Sequence, residues 1–341
     1  MATTQLSPDA VLHAGDRDFG NGLLIELHTA MAALDDGHIL EVLAVAPSVP
    51  EDLAAWCVLT GNALVGPLQV RKGSADIEPD PVPLGTRLWI YSNFDCNLAC
   101  DYCCAQSSPR AVARRMPVAM ARSAVAEFVS DGGREVLITG GEPFLHPELV
   151  QLVEAATDHV PVTVLTNAMV FHSGSRRRML EMLDRQLVTL QISLDSATPE
   201  LHDRHRGQGS FARARAGIEL ARSLGFRVRI AATIDTADSD EVGALRELFD
   251  AEGIPAADQV IRRVARQGFA TIGVALTQND LHPEPTITVD GVWWHPVGVT
   301  DPALKVTSEP LPIWRAIAAI QRTLAATSAE RENTRRSFRC A

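Results

Sequence analysis

Four of the six cysteines in this 341-residue chain fall between Cys96 and Cys104, and three of them, Cys96, Cys100 and Cys103, are separated by three and then two residues in SNFDCNLACDYCCAQS. Thiols at that spacing on one loop can converge on a single object, and thiolates ligate zinc and iron. A structural zinc site takes four closed ligands, commonly from two CxxC pairs, whereas only Cys57 and Cys340 lie outside this loop. Three thiolates on a four-iron cluster leave one iron open to another ligand, which fits this sequence better. A buried, inert set of cysteines is the remaining alternative. Cys104 follows a ligand directly and reads as a small hydrophobe packed beneath the loop, and Cys57 as a core residue of an apolar helix. Cys340, next to last and flanked by Arg335, Arg336 and Arg339, sits in a positive field that favours thiolate. It is a candidate catalytic hydrogen donor or ligand, with a dispensable terminus as the alternative.

The second chemical feature is TGGEPFLHPEL, residues 139–149. Two glycines followed by Glu-Pro make a sharp turn that exposes main-chain carbonyls and admits a ligand closely, unless this is an ordinary strand-to-helix turn. Both features depend on the elements that carry them. From Leu88 onward, strand-like runs alternate with helical ones: LWIYSNF then a helix near 117–131, EVLITGG then 147–158, PVTVLTN then 175–184, LVTLQISLD then 211–224, RVRIAATID then 240–252, and a weak strand near 259–264. Six such steps predict an α/β fold with a parallel sheet, a partial (β/α)6 TIM-like barrel with chemistry at the carboxyl ends of its strands. The cysteine loop leaves the first strand end and the Gly-Gly-Glu-Pro turn leaves the second.

CxxxCxxC with Tyr102 before its last cysteine, one βα unit ahead of GGEP, resembles the radical S-adenosylmethionine (radical SAM) enzymes over about residues 86–265. The resemblance implies one 4Fe-4S cluster held by Cys96, Cys100 and Cys103, with SAM chelating the open iron. It implies cofactor contacts from Tyr102, from Gly140, Gly141, Glu142 and Pro143, and from Asn167, Ser193 and Asp195 at the third and fourth strand ends, for the SAM carboxylate and ribose. Arg206, in DRHRGQGSF, is placed to meet the SAM carboxylate or a substrate acid, because guanidinium pairs bidentately with carboxylates. The implied chemistry is reductive SAM cleavage to a 5'-deoxyadenosyl radical and hydrogen abstraction from a small-molecule or peptide substrate. An electron donor such as ferredoxin or flavodoxin is implied with it. The alternatives are 3-amino-3-carboxypropyl transfer, and a scaffold that binds SAM without turnover. Many radical SAM enzymes acting on peptides add a cysteine-rich SPASM or twitch extension. This chain has one cysteine there, so a single cluster is expected, with a mild preference for a small metabolite or a simple modification.

Domains are expected at 1–73, 87–265 and 266–341, with a linker at 74–86 marked by three prolines and three acids. Residues 18–65 resemble the TusA-like sulfur-carrier fold, a small α+β (βαββα) unit that relays sulfur through a Cys-Pro motif. Gly20-Asn21 stands there instead, so persulfide relay is not expected, and docking of a protein partner or covering of the barrel is. After residue 266, Asp290-Gly291 between β-prone runs predicts a hairpin, and a helix is expected from Ile313 to Ala326. Trp293 and Trp294 must face opposite ways on that hairpin, so at least one belongs to the core, and His295 reads as packed or exposed.

Composition narrows the partners. With 46% hydrophobic and 21% charged residues the chain reads as globular. No apolar run nears about 18 residues and no signal-like start is present, so a cytoplasmic protein without a membrane span is expected. Residues 1–80 hold 3 basic and 12 acidic residues, which places -9 of the net charge of -11 in the first quarter. Nucleic acid, which needs a basic surface, is not expected as a partner.

Overall fold

The structure is a computed structural model. It describes residues 8–19, 21–35, 37–60, 62–73, 84–235 and 241–326. Gly20, most of the proline-rich linker and Cys340 therefore lie outside the described residues. The chain divides into two compact units, one within residues 1–80 and one within 81–341.

The first unit runs β1 (Ala10–Gly15), α1 (Leu23–Ala32), β2 (Ile39–Ala44), α2 (Val49–Thr60), β3 (Ala63–Gly66) and β4 (Gln69–Arg71), in one sheet of order β1-β2-β4-β3. β1 and β2 are parallel across α1, whereas β4 is antiparallel to both β2 and β3. Leu23, Leu27 and Met31, four residues apart, bury one stripe of α1 against Leu40, Val42 and Val70 of the sheet, with Leu53, Trp56 and Cys57 of α2. Cys57 is a core residue, and burial pushes its thiol up to about 11. The expected βαββα order is corrected to βαβαββ. ALVGPLQV reads as one strand, but Pro67 has no amide hydrogen to continue the ladder, so the run folds back as the β3-β4 hairpin. Asn21 closes the turn before α1: its Oδ1 accepts from the Asp18 amide at 2.7 Å.

The second unit holds β5 (Arg87–Tyr91), α3 (Val118–Ser130), β6 (Glu135–Thr139), α4 (Leu149–Thr157), β7 (Val162–Thr166), α5 (Gly174–Met182), β8 (Val188–Ser193), α6 (Pro199–Arg206), α7 (Ser210–Ser223), β9 (Arg227–Ile234), α8 (Glu241–Ala251) and β10 (Gln259–Arg263). It ends with β11 (Thr286–Thr288), β12 (Gly291–Trp293), β13 (Lys305–Thr307) and α9 (Ile313–Ala326). Its sheet has the order β10-β9-β8-β7-β6-β5-β11-β12-β13, with β5 to β10 all parallel. Strand alternation decides the two faces. Leu88, Ile90, Val136, Ile138, Val162, Val164, Leu190 and Ile192 pack against the helices. Trp89 and Leu137 point the other way, into a cluster with Ala265, Leu276, Trp294, Val297 and Leu304 from the carboxy-terminal segment.

That segment joins the same sheet. β11 lies parallel to β5, pairing Thr286 with Trp89, and turns at Val289-Asp290 into antiparallel β12. Trp293 and Trp294 are both buried, on opposite sides as alternation requires, Trp293 with Tyr91 and Phe94 and Trp294 beside Trp89. His295 is buried, and its Nδ1 accepts from the Val297 amide at 3.2 Å. Among the described residues no helix is long and apolar enough to cross a membrane.

Candidate active site

The cysteine loop leaves β5 already tied to the strand beside it. Ser92 donates its amide to Thr139 O at 2.7 Å. The buried Asn93 side chain donates to Asp95 O at 2.8 Å and Glu142 O at 3.1 Å, while Gly141 N donates to Asn93 O at 2.9 Å and Glu142 N to Asp95 O at 3.0 Å. The Gly-Gly-Glu-Pro turn is thereby zipped to the start of the loop. A Cβ on Gly140 would lie 2.6 Å from Asn93 O, and one on Gly141 2.2 Å from Asp95 O. In this chain both glycines are needed for the approach of one backbone to another.

Glu142 is buried behind this turn. Its carboxylate accepts from Phe144 N at 3.1 Å, Thr166 Oγ1 at 2.8 Å and Asn167 N at 2.8 Å, fastening the turn to the end of β7. Burial outweighs those donors and pushes its carboxyl up to about 7. Pro143 opens a short 3-10 turn at residues 143–145. Neither residue lines the cleft described next.

Cys96, Cys100 and Cys103 line one cleft of about 170 Å³ at the carboxyl ends of the parallel strands, together with Tyr102, Gly140, Gly141, Asn167, Ser193 and Arg206. Backbone amides point at two of the sulfurs, Leu98 N at Cys96 Sγ and Ser107 N at Cys103 Sγ, each at 3.4 Å. The Asn167 amide group reaches Cys96 Sγ at 3.9 Å and Asn97 Oδ1 at 2.9 Å. Burial drives the Cys96 thiol far above its ordinary range and the Cys100 thiol to about 11, against the pull of Arg206. Thiolates here need a compensating positive charge, which a bound metal centre supplies. None of the described residues lining the cleft is an Asp or Glu. Among the described residues no three His, Cys, Asp or Glu side chains are drawn together as a single metal ion requires. Three thiols lining one cleft, two of them with N–H donors on their sulfurs, fit an iron-sulfur cluster, whose corners take one thiolate each.

Tyr102, Asp195 and Arg206 form one network. Asp195 Oδ2 accepts from the Tyr102 hydroxyl and from Arg206 Nε, and Oδ1 accepts from Arg206 Nη2 at 3.2 Å and from Thr233 N at 2.9 Å. The Arg206 charge holds the Asp195 carboxyl below the usual range against its burial. Arg206 and Tyr102 line the cleft, and Asp195 stands behind them. The guanidinium expected to meet a ligand carboxylate is thus already paired with one from the protein.

Sequence reasoning missed two contributors. The segment after β10 docks on the loop, with Phe269 N donating to Cys103 O at 3.0 Å and Thr300 Oγ1 to Cys104 O at 2.8 Å. Its only local signal is Gly268, a lone glycine after a strand, and nothing in the pattern says what it packs against. Arg262 and Arg263 at the end of β10 also line the cleft. Cys104 lines it too, half-buried, its thiol pushed up to about 12 by burial.

Residues 90–248, from β5 through most of α8, match the Radical SAM superfamily, and this segment is a radical SAM domain. The superfamily's members are enzymes that use a 4Fe-4S cluster and SAM, and these are the cofactors of this domain. The chain is 29% identical over 207 residues to the antilisterial bacteriocin subtilosin biosynthesis protein AlbA of Bacillus subtilis (strain 168), covering 58% of this chain and 45% of AlbA. It is 34% identical over 138 residues to the mycofactocin maturase MftC of Mycobacterium ulcerans (strain Agy99), covering 39% of this chain and 35% of MftC. The matches thus span less than half the length of these relatives. Among solved structures, native anSMEcpe with bound AdoMet aligns with a TM-score of 0.54 at 13% identity, over 71% of this chain and 84% of that one.

Proposed function

We propose that this chain is a radical SAM enzyme whose second unit, a partial barrel, holds one 4Fe-4S cluster through Cys96, Cys100 and Cys103. When bound, that cluster and SAM supply a 5'-deoxyadenosyl radical. The protein's own contribution is placement. Main-chain amides of Leu98 and Ser107 steady two sulfurs, the paired glycines bring the Gly-Gly-Glu-Pro turn against the cysteine loop, and Asn167, Ser193 and Arg206 offer polar groups to SAM across the cleft. Hydrogen is then abstracted from a peptide or small-molecule substrate. AlbA, a bacteriocin biosynthesis protein, and MftC, a maturase, support the peptide, and a GTP 3',8-cyclase relative supports the small molecule. A one-electron donor such as ferredoxin or flavodoxin, in a reducing cytoplasm that keeps the three thiols free, completes the reading. The amino-terminal unit, whose sequence resembles the TusA-like carriers but lacks their Cys-Pro motif, serves as a partner-docking module.

The observation that carries this proposal is the meeting of the three spaced thiols and the glycine turn on one cleft. Anaerobic reconstitution with iron and sulfide, reduction with dithionite and chromatography of the nucleosides test it. 5'-Deoxyadenosine is the expected product. 5'-Methylthioadenosine would instead establish 3-amino-3-carboxypropyl transfer, and neither nucleoside would leave a non-catalytic SAM-binding scaffold.

A further inference from the structure

Asp195 occupies the strand end where the resemblance assigns ribose recognition, but its hydrogen-bonding capacity is already used. A carboxylate offers about four lone-pair sites. Four donors fill them here: the Tyr102 hydroxyl, two nitrogens of Arg206 and the Thr233 amide. Its side chain is 3% exposed. A ribose hydroxyl would have to displace one of these bonds, three of which involve a guanidinium or a phenol held by a charged acceptor.

The same four bonds join four parts of the fold. Tyr102 lies between Cys100 and Cys103 on the cysteine loop, Arg206 ends α6, Thr233 belongs to β9, and Asp195 follows β8. The Asp195 amide donates to His202 Nδ1 at 3.1 Å, adding a second tie to α6. Also on α6, His205 Nδ1 pairs with Asp101 at 2.9 Å, and Asp101 N donates to His205 O at 3.3 Å. The Tyr102 ring lies near the His205 ring, with centroids 5.7 Å apart, and near the Arg206 guanidinium, 5.7 Å from the ring centre. Arg206 spends two of its five N–H donors on Asp195, and its side chain still reaches the cleft wall.

We propose that Asp195 is a positioning residue. Acting through Tyr102 and Arg206, it sets the half of the cysteine loop that carries Cys100 and Cys103, together with the guanidinium on the cleft wall, in the arrangement that receives SAM. It does not itself touch SAM. This inference rests on the radical SAM reading above.

The test compares wild type, Asp195→Asn, Tyr102→Phe and the double variant, each reconstituted anaerobically. Iron content, the SAM dissociation constant by equilibrium dialysis, and the change in the reduced-cluster paramagnetic resonance spectrum on adding SAM are measured. Tyr102→Phe removes one hydroxyl from an intact ring, so iron content is retained while SAM binds more weakly and the spectral response to SAM is altered. Asp195→Asn weakens SAM binding on the order of tenfold, as loss of an outer support commonly does. The double variant is no weaker than Asp195→Asn, because both changes break one chain of contacts. The discrimination between SAM and its 2'-deoxy and 3'-deoxy analogues is the same in Asp195→Asn as in wild type. Additive losses, or loss of that discrimination, would overturn the proposal in favour of direct ribose contact. If Asp195→Asn does not fold, Tyr102→Phe decides alone: an unchanged SAM affinity and spectrum overturn the proposal. A wild type that neither binds SAM nor yields a nucleoside product overturns the radical SAM reading as well, whereas a wild type that binds it beside unaffected variants overturns only the positioning role.

Discussion

The carbonyl oxygen of Cys103 lies 2.2 Å from the point where a Cβ on Gly268 would have to sit. Gly268 also has a φ of +64°, the left-handed region that costs other residues about 1 kcal/mol or more. The segment after β10 can close on the cysteine loop only because this residue lacks a side chain.

Gly268→Ala should therefore lower stability by roughly 2–3 kcal/mol, combining backbone strain with a forced separation from Cys103. Gly253→Ala, at a similar φ of +68° but with nothing within 4 Å, should cost only about 1 kcal/mol. Denaturant unfolding of the two variants compares the costs. Iron per chain after reconstitution should fall for the first variant alone, and equal behaviour of the pair would refute the docking argument.

Glu142→Gln keeps the shape of the side chain but turns one acceptor into a donor. Each of the two carboxylate oxygens faces a backbone amide, Phe144 N or Asn167 N, so the new amide group must oppose one of them. A buried donor left without an acceptor costs about 1–3 kcal/mol, and that loss is expected in urea unfolding. A variant as stable as wild type would show that the latch contributes nothing.

Replacing Cys96, Cys100 or Cys103 by alanine should abolish the iron-sulfur absorbance of reconstituted protein. Cys104→Ala should retain it, since that residue packs against the hydrophobic cluster around Trp89. Cys57→Ala should also retain it, because Cys57 belongs to the core of the first unit. Metal analysis after purification under argon checks all five variants. Zinc in the wild type, or iron surviving any of the three loop substitutions, would be incompatible with the site.

His202 is buried, and its Nδ1 must stay unprotonated to accept from the Asp195 amide. Burial first and the nearby Arg206 second lower its pKa to about 4 from 6.5. Between those values the unfolded chain binds the proton and the folded chain does not. The contribution of His202 is thus complete above pH 6.5 and declines as the pH falls toward 4, by on the order of 2–3 kcal/mol. His202→Asn, whose Oδ1 can accept the same amide, should lose that slope in denaturant titrations run across this range. A parallel slope in the variant would assign the pH dependence to other groups.

Local chemistry explains which parts were legible in advance. The thiol spacing, the Gly-Gly-Glu-Pro turn and the alternation of strands with helices each depend on near neighbours in the chain, and the βα run appears where its pattern places it, while the hairpin turns at Val289-Asp290, one residue before the expected Asp290-Gly291. Helix α6 went unseen because PELHDRHR is polar almost throughout, burying only His202, so it carries no apolar stripe. In the first unit the βαββα order came from the resemblance, whereas the residues themselves do not reveal that the run at 63–70 doubles back at Pro67. The pairing of Asp195 with Tyr102 and Arg206 was hidden for a different reason. A carboxylate at a strand end has the same appearance in sequence whether it faces a ligand or a guanidinium eleven residues later.

Residue identity and spacing alone determined that three thiols could share one metal centre, that a glycine turn would stand one βα step away, and that a parallel sheet would present both at the same edge. Those features follow from thiolate chemistry, steric freedom at glycine and the periodicity of strands and helices, all of which act over a few residues. Only the tertiary structure decided that the glycines admit backbone, that Asp195 is spent on Tyr102 and Arg206, and that Gly268 closes on Cys103. These depend on which atoms from distant segments compete for the same space and the same donors, and that competition exists only once the chain is folded.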